Sequence, residues 1–478
     1  MILAWAAGIV ILLPAITQPL LAFALVAAVV GVWLASRSIA YPLALAFAPA
    51  LVEAIYGSNP LPSGGTTFLF LGWIGLAIAI AVARGTQPRT LLSAPVVLTL
   101  SLVVLMLIRL SGTLDPSYGS KKLQLFIANN LVFVIAGVFV GAQREHSKRF
   151  YALLLTISTA GALLLLGQLA TGAASNLVAN RFSISAQEYP IQLGRSASDG
   201  MLLAIYGMLA WRSLGGRLAA MAAFPALAVA LVAAGSRGPV LAFIVGLLAL
   251  LTLVAATGRA RTRLTRVAAV VLGAVALVPF VVPGSTVGRA LSAIFGGATG
   301  LSTSGRSGLW AQAISNFSAH PVSGIGTGGF AGLQTGELYP HNILLEAAVE
   351  LGVVGLVIVA WLIVASLRRM IAAWRTAVGS DRLEASVLTA LFMAALVNAL
   401  FSGAFQDNRE LWLWAGLGLG MLARRPGGPD IVRARETGPD HGLRRRPDDP
   451  RRDPHAHGRG GARLRPGGSG RRPRHAGT

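Results

Sequence analysis

The chain has no cysteine and very little charge. Without a thiol among its 478 residues, it can form neither a disulfide framework nor a thiolate metal site, and it has no cysteine nucleophile. Only 12% of its residues are charged, whereas 54% are hydrophobic, which leaves too little polar material to cover a water-soluble core of this size. The composition therefore indicates an integral membrane protein.

Long apolar runs recur from Met1 to about Leu422. A run of roughly 18 or more apolar residues is long enough to cross a bilayer. Short charged or Gly/Pro-rich joints separate about fourteen candidate spans, so we predict an all-α polytopic bundle of about 12–14 transmembrane helices. Residues 2–16 lack a basic start and a clear cleavage site, and we interpret them as a retained first helix.

The placement of Lys and Arg predicts the orientation, because cytoplasmic joints are enriched in both. Threading the spans in order places sixteen cations in one set of joints and nine in the alternate set. The richer set is assigned to the cytoplasm together with both termini, which puts His341 on the outer face. The nine outward cations are Arg109, Lys121, Lys122, Arg181, Arg195, Arg237, Arg289, Arg306 and Arg409.

Composition divides the chain into three parts. Residues 1–170 are predicted to be N-terminal transmembrane helices, and residues 171–423 a second transmembrane region with an extracytoplasmic loop at 285–340. Residues 424–478 form an Arg/Pro/Gly-rich cytoplasmic tail with fifteen arginines and six acids. We expect this tail to be disordered and to contact anionic lipid headgroups rather than nucleic acid.

Two outward joints are long, at 171–197 and 285–340, and long loops are often functional. The second contains SGRSGLWAQAISNFSAHP, which predicts an amphipathic helix along the membrane surface; its apolar residues at helical spacing are Leu309, Trp310, Ala313, Ile314 and Phe317. The segment GIGTGGF follows at 324–330. Its backbone N–H groups are candidates for binding an anion, and a plain turn is the alternative.

Arg237 and Arg306 are candidate anion-binding residues. Arg237 lies in AAGSRGPV between two apolar spans, where a buried arginine is costly and tends to be functional, although it can also extend to lipid headgroups. Arg306 lies just before the predicted amphipathic helix. Two guanidiniums on one face offer permanently charged, bidentate forks of the kind that suit a diphosphate.

His341 is the candidate base. It stands at the first step of an apolar helix in YPHNILLEAAVELGVVG, where the helix dipole disfavours the imidazolium and leaves the proton-accepting form; a histidine that only caps its helix is the alternative. Glu346 and Glu350 are four residues apart and share a helix face. Glu346 is expected to orient substrate or to bond another span. Asp407 is the remaining acid near the same vestibule, unless it is a solvated loop charge paired with Arg409.

These segments together resemble the O-antigen ligase and O-antigen polymerase superfamily over roughly residues 175–420. The resemblance rests on Ser-Arg-Gly at 236–238, Arg-x-x-x-Trp at 306–310, HPVSGIGTG at 320–328, and His-Asn-x-x-Leu-Glu followed by Gly352 and Gly355. In this family an Arg-x-x-Gly motif often precedes an Asn near the next span. Here Arg181-Phe-Ser-Ile stands instead, so neither Arg181 nor Arg195 is predicted as a site residue.

The resemblance implies a GT-C type glycosyltransferase, O-antigen ligase-like, in the cytoplasmic (inner) membrane. Its donor would be a glycan on a polyprenyl (undecaprenyl) diphosphate carrier, used on the extracytoplasmic side without a nucleotide sugar, cofactor or metal. Arg237 and Arg306 match the diphosphate-binding arginines and His341 the base, with Asn342, Glu346 and Asp407 as supporting residues. A single displacement would invert the anomeric centre, and the acceptor would be a glycan or a lipid.

Three other functions stay open from the sequence. A polymerase of the same superfamily would use the same donor and differ only in its acceptor. A secondary transporter would place its site in broken helices at the membrane midplane, often with internal repeats, and no convincing repeat is seen. A flippase for the lipid-linked glycan would translocate it without forming a new glycosidic bond.

Overall fold

The computed structural model describes residues 29–49, 51, 65–86, 89–178, 181–184, 190–255, 271, 273, 306–333 and 336–424. All of these belong to one compact unit, Met1–Gly428. The predicted first helix at 2–16, the basic joint at 257–266, the start of the outer loop at 285–305 and the tail beyond Arg424 lie outside the described residues.

The described chain is a helical bundle with one short hairpin, so the predicted all-α polytopic fold is confirmed. The helices are α1 Ala40–Leu45, α2 Gly65–Ala83, α3 Ala94–Ile108, α4 Pro116–Phe126, α5 Val132–Ala142, α6 Arg144–Ala170, α7 Pro190–Ala210, α8 Leu214–Ala233, α9 Arg237–Ala255, α10 Arg306–Ala319, α11 Ile343–Thr376, α12 Gly379–Phe401 and α13 Arg409–Leu422. A π-helical turn at Ile127–Leu131 joins α4 to α5. Strands β1 Ser175–Val178 and β2 Arg181–Ser183 pair antiparallel.

Seven helical stretches among the described residues are long and apolar enough to cross a membrane. Their outer faces carry large apolar side chains, such as Val357 at 58% exposure, Leu248 at 58% and Trp361 at 51%. Such a surface is costly in water but matches the hydrocarbon of a bilayer. The predicted total of 12–14 spans includes runs outside the described residues.

Helices α5 and α13 pack closely because each carries glycines four residues apart on the shared face. A Cβ added to Gly416 would lie 2.1 Å from the Val134 carbonyl oxygen, and one added to Gly137 would lie 2.6 Å from the Leu413 carbonyl oxygen. Gly141 and Gly420 make the same kind of close approach one turn further along. Such small-residue pairs let helix backbones meet in a membrane, where packing rather than water exclusion drives association.

Helix α11 is broken near its start. Gly352 has φ 70° and ψ −166°, which is not helical, so residues 343–351 form a separate short segment that we call the half-helix. Residues 320–329, here called the glycine loop, lie against the break: the Val353 N–H donates to the Pro321 carbonyl at 2.8 Å. A Cβ on Gly352 would lie 2.1 Å from the Val322 carbonyl oxygen. Only glycine therefore fits this position.

Helix α10 confirms the helix predicted in the outer loop. Its Ala313 is buried in a small apolar cluster with Ile325, Phe330 and Val349, so this side of the helix packs on the glycine loop and the half-helix. Ile314, from the same predicted apolar stripe, is 53% exposed. The stripe is thus split between protein packing and an exposed face.

The predicted outward joint at 171–197 is shorter than expected. Helix α7 begins at Pro190, a residue favoured at the first helical position, and Arg195, Ser198 and Asp199 are buried within it. The polar residues that marked this stretch as a loop are instead buried helix positions. The remaining joint contains the β1–β2 hairpin.

One end of the bundle holds a group of cations and acids that join three helices. Arg144 at the start of α6 pairs with Asp381 at the start of α12 at 2.9 Å. Arg424, just after α13, forms a bidentate pair with the buried Glu384: Nη1 donates to Oε2 at 2.9 Å and Nη2 to Oε1 at 3.0 Å. Because α6 and α12 run away from this end, the β1–β2 hairpin and the 402–410 turn lie at the opposite end.

Candidate active site

His341 lies just outside the half-helix rather than on its first turn. The cap is Asn342, whose Oδ1 accepts from the Leu344 and Leu345 N–H groups at 3.0 Å each. His341 itself has φ 58°, the left-handed conformation. The sequence interpretation that placed His341 on the helix is therefore wrong, and so is the alternative in which it caps the helix. Left-handed backbone is uncommon for a residue with a side chain and often occurs at functional sites.

The two nitrogens of the His341 ring have different surroundings. Its Nε2 lies 3.6 Å from Glu337 Oε2, and the Glu337 side chain is 53% exposed. Its Nδ1 is buried and has no hydrogen-bond partner among the described residues. The Tyr339 ring packs edge-on at 4.5 Å between centroids, and Trp310 Nε1 donates to the Pro340 carbonyl at 3.0 Å. These contacts fix the segment that carries the imidazole.

Burial lowers the pKa of the His341 imidazole below its usual value, and the positive charge of Arg306 lowers it further, while Glu337 opposes both. The imidazole is therefore uncharged near neutral pH. The main causes are burial and a neighbouring guanidinium, not the helix dipole invoked from the sequence.

The charges of two other arginines act on Arg306. Burial lowers the pKa of the Arg306 guanidinium, and the charges of Arg181 and Arg237 lower it further. Arg306 is the first residue of α10, Arg237 the first of α9, and Arg181 opens β2. The structure thus brings together the two arginines predicted from the sequence and adds Arg181, which was set aside because its surroundings depart from the family pattern.

A buried ion cluster lies behind the half-helix. Lys122 of α4 is 1% exposed and its Nζ lies 2.5 Å from Glu346 Oε1 and 2.6 Å from Glu350 Oε1. Glu350 Oε2 also accepts from the Gly328 N–H at 2.9 Å, and Glu346 Oε2 from the Phe405 N–H at 3.0 Å. The two glutamates share a face, as their spacing predicts, and Glu346 bonds other spans rather than an open vestibule.

The glycine loop does not offer its N–H groups to an external anion. Each N–H from Gly324 to Gly329 donates to the protein itself, and the acceptors are the carbonyls of His320, Val349, Glu350, Arg109 and Gly326 and the Glu350 carboxylate. The anion that this loop binds is the side chain of Glu350. The anion-binding interpretation of GIGTGGF is therefore wrong, because these donors already hold the loop against the broken helix.

The 402–410 turn, which carries Asp407, is held by Arg195. Arg195 Nη2 donates to the Ser402 carbonyl at 2.8 Å, and Nη1 to the Asp407 carbonyl at 3.3 Å. Arg195 is 3% exposed, so it has a structural role. Arg409 stacks over the Phe47 ring at 4.7 Å and lies 3.9 Å from Glu410, and no ion pair joins it to Asp407 within the described residues.

Asp407 lies on the same side as the aromatic residues next to His341. Burial raises the pKa of its carboxyl, with Arg195 as the main opposing charge. Burial also raises the pKa of the Tyr339 phenol, and the negative charge of Asp407 is the next largest cause. The charge of Asp407 thus acts on Tyr339, and its role in the site stays a prediction.

Sequence reasoning missed Lys122 and Arg181. Lys122 was counted only as an outward cation, although two glutamates in an apolar helix require a buried partner, and that requirement was the available signal. For Arg181 the only signal in the sequence was its position in a long outward joint. In the part of the chain that the structure describes, no group of three or more His, Asp or Glu side chains is placed to hold a metal ion.

A comparison with known protein families finds a match in the part of the chain that contains His341 and Arg306. Residues 222–360 match the family model described as O-Antigen ligase, and they include Arg237, Arg306, His341, Asn342 and Glu346. A search of curated proteins finds no match. Lys122, Arg181, Arg195 and Asp407 lie outside the matched segment. Residues 222–360 of this integral membrane protein are therefore similar to the O-antigen ligase family.

Proposed function

We propose that the protein is a membrane glycosyltransferase that moves a glycan from a polyprenyl diphosphate carrier to an acceptor sugar hydroxyl. The observation that supports this most directly is that Arg306 acts on the imidazole of His341, which has a lowered pKa, and that the charges of Arg181 and Arg237 in turn act on Arg306. Such a group suits a reaction with a dianionic leaving group and a hydroxyl nucleophile.

The arginines would act on the leaving group. As the bond between the anomeric carbon and the diphosphate oxygen breaks, negative charge grows on that oxygen. Guanidiniums beside it bind the transition state more strongly than the ground state, and this difference is what accelerates the reaction. The charges of Arg181 and Arg237 both act on Arg306, and Arg306 acts on His341, so we assign Arg306 the central contact with the diphosphate.

His341 would act on the nucleophile. Its Nε2 faces the Glu337 carboxylate, which favours a proton on that nitrogen, and Nδ1 has no hydrogen-bond partner among the described residues. We therefore assign Nδ1 as the nitrogen that takes the proton from the acceptor hydroxyl. The hydroxyl oxygen then forms the new bond to the anomeric carbon while the diphosphate leaves. A single displacement of this kind inverts the anomeric centre and uses no metal or cofactor.

The remaining predicted residues would support this arrangement. Asn342 fixes the start of the half-helix through its side-chain cap, and Glu346 joins that segment to the 402–410 turn. Asp407 contributes a carboxylate on the Tyr339 side of the site. We assign this end of the bundle to the extracytoplasmic face of the cytoplasmic membrane, because the joints assigned to the opposite face carry sixteen of the twenty-five cations before the tail.

The test is glycan transfer by the purified full-length protein in proteoliposomes, with a lipid-linked glycan as donor and a glycan or lipid acceptor. His341→Ala and Arg306→Ala should each abolish product while protein levels in the membrane stay normal. Lys121→Ala is the matched control, because this cation is also assigned to the outer face but is exposed. Wild-type product from either site variant would defeat the assignment.

The acceptor distinguishes a ligase from a polymerase. Both would use the same site and donor, so the surface polysaccharide of a deletion strain is the informative measurement. Loss of all anchored chains indicates a ligase, and loss of long chains alone indicates a polymerase. Movement of the lipid-linked glycan across the bilayer without a new glycosidic bond would instead indicate a flippase.

A further inference from the structure

The rest of α11 does not determine the direction of the half-helix. Gly352 interrupts the helix with φ 70°, so residues 343–351 are separated from the long membrane-crossing part that follows. Because a glycine break transmits little rigidity, contacts from other segments must determine where residues 341–351 lie. The position of His341 depends on those contacts.

Lys122 is the central contact. It comes from α4, 228 positions before Glu350 in the chain, and its Nζ lies 2.6 and 2.7 Å from the two Glu350 carboxylate oxygens. The same Nζ reaches Glu346 Oε1 at 2.5 Å. Both glutamates belong to the half-helix and are one turn apart, so a single ammonium holds this segment at two points.

The two carboxylates also extend the cluster to other segments. Glu350 accepts from Gly328 in the glycine loop, and Glu346 accepts from Phe405 in the 402–410 turn. All three charged side chains are at most 2% exposed. A buried cation removed from such a cluster leaves two carboxylates facing each other without compensation, and they will separate or draw in water. The segments that they join should then lose their fixed positions.

We infer that Lys122 is a positioning residue for His341, acting through Glu346 and Glu350 on the half-helix. The kinetic part of this inference rests on the proposed function, whereas the structural part does not. The ion pairs of Lys122 are with Glu346 and Glu350 of the half-helix, so its loss should displace the base and leave donor binding in place.

The structural test measures distance and needs no activity. The chain has no cysteine, so spin labels can be placed at Ser120→Cys on α4 and Leu338→Cys, three residues before His341, without background labelling. The parent protein in proteoliposomes should give one narrow distance distribution. Adding Lys122→Met should broaden or shift it, whereas adding Lys121→Met, at the exposed neighbouring cation, should not. An unchanged distribution in Lys122→Met overturns the inference whatever the protein catalyses.

The kinetic test uses the same pair of lysine variants without labels. Lys122→Met should lower kcat for glycan transfer about 100-fold, as expected for a catalytic group displaced by about 1 Å, with the KM for the lipid-linked donor unchanged. If the substitution only destabilised the protein, fewer molecules would be folded, and each folded molecule would keep the parental kcat. Parental kcat per folded Lys122→Met protein, or a raised donor KM with kcat intact, counts against the inference.

A second variant covers the case in which Lys122→Met does not accumulate. Lys122→Met with Glu346→Gln and Glu350→Gln removes all three charges of this cluster and keeps oxygen acceptors for the Gly328 and Phe405 N–H groups. This triple variant should fold and should still show the broadened distance distribution, because the ammonium that joined the two side chains is gone. A narrow parental distribution in the triple variant overturns the inference. Full activity in His341→Ala would defeat only the proposed function.

Discussion

Replacing Gly352 by alanine tests whether the break in α11 is a required feature of the fold. The glycine has φ 70° and ψ −166°, a region that is essentially closed to residues with a side chain and costs about 1–3 kcal/mol. The added Cβ would also lie 2.1 Å from the Val322 carbonyl oxygen and 2.5 Å from its carbon. Because these are backbone atoms, the glycine loop must move away.

The movement of the loop adds a second cost. The Val353 N–H to Pro321 carbonyl bond at 2.8 Å lies directly at the contact, and the bonds from Ile325 and Gly326 to Val349 and Glu350 follow it. Leaving one buried donor or acceptor without a partner costs about 1–3 kcal/mol. Backbone strain and one lost bond together amount to about 2–6 kcal/mol, a large share of a typical folding free energy.

The assay is equilibrium unfolding of the purified protein in mixed micelles. Gly72→Ala in α2 is the control, since nothing lies within 4 Å of its Cβ position, and it should be neutral or slightly stabilising. Gly352→Ala should lower the free energy of unfolding by about 2–6 kcal/mol relative to that control. Equal stability of the two alanine variants would show that the loop does not hold the break as described.

Three further predictions test the charge of Glu337, the pair between Arg424 and Glu384, and whether glycan transfer needs a metal. Glu337→Gln removes a negative charge 3.6 Å from His341 Nε2; because that charge favours the imidazolium, its loss lowers the pKa further, and the acidic limb of the transfer rate should move to lower pH. A shift to higher pH would contradict the contact. Arg424→Ala leaves the buried Glu384 without its bidentate partner and should cost about 3–5 kcal/mol of stability, measured by denaturant unfolding. Lys148→Ala, which removes an exposed pair with Glu145, should change stability little, and equal effects would refute the reasoning. Chelation with EDTA should leave glycan transfer unchanged if the reaction uses no metal, and recovery of a lost activity by added divalent cation would show the opposite.

The sequence predicted the features that depend on composition and local periodicity. The excess of apolar residues indicates a membrane protein. The helical spacing of Leu309, Ala313 and neighbouring apolar residues predicts α10, because this pattern lies within one short segment. The motif around His341 indicated, for the same reason, the family whose model matches residues 222–360. Each of these signals can be read from adjacent residues.

The features that the sequence did not predict depend on contacts between distant segments. Nothing near Lys122 shows that it will meet Glu350, 228 positions later, and nothing near Gly352 shows that residues 320–329 will lie against it. The left-handed backbone of His341 was missed because the half-helix was assumed to include that residue. The apolar periodicity of a helix predicts its approximate extent, but it does not show which residue is the cap, because helix ends are uncertain by one or two residues.

The outward cations show how the structure separates structural from site residues that the sequence treated alike. Four of the nine have defined partners within the fold, in the form of carbonyls, carboxylates or rings: Arg109 with Gly324, Lys122 with Glu346 and Glu350, Arg195 with Ser402, and Arg409 with Phe47. Lys121 is exposed, and Arg289 lies outside the described residues.

The other three outward cations are Arg181, Arg237 and Arg306, and the charges of the first two act on Arg306. Cations grouped in this way attract an anion. A diphosphate bound there would interact with the guanidiniums while the uncharged imidazole of His341, on which Arg306 acts, accepts a proton. We therefore expect an anion to bind at this place. Binding of inorganic pyrophosphate that is lost in Arg306→Ala but kept in Arg409→Ala would support it, and binding unchanged in Arg306→Ala would refute it.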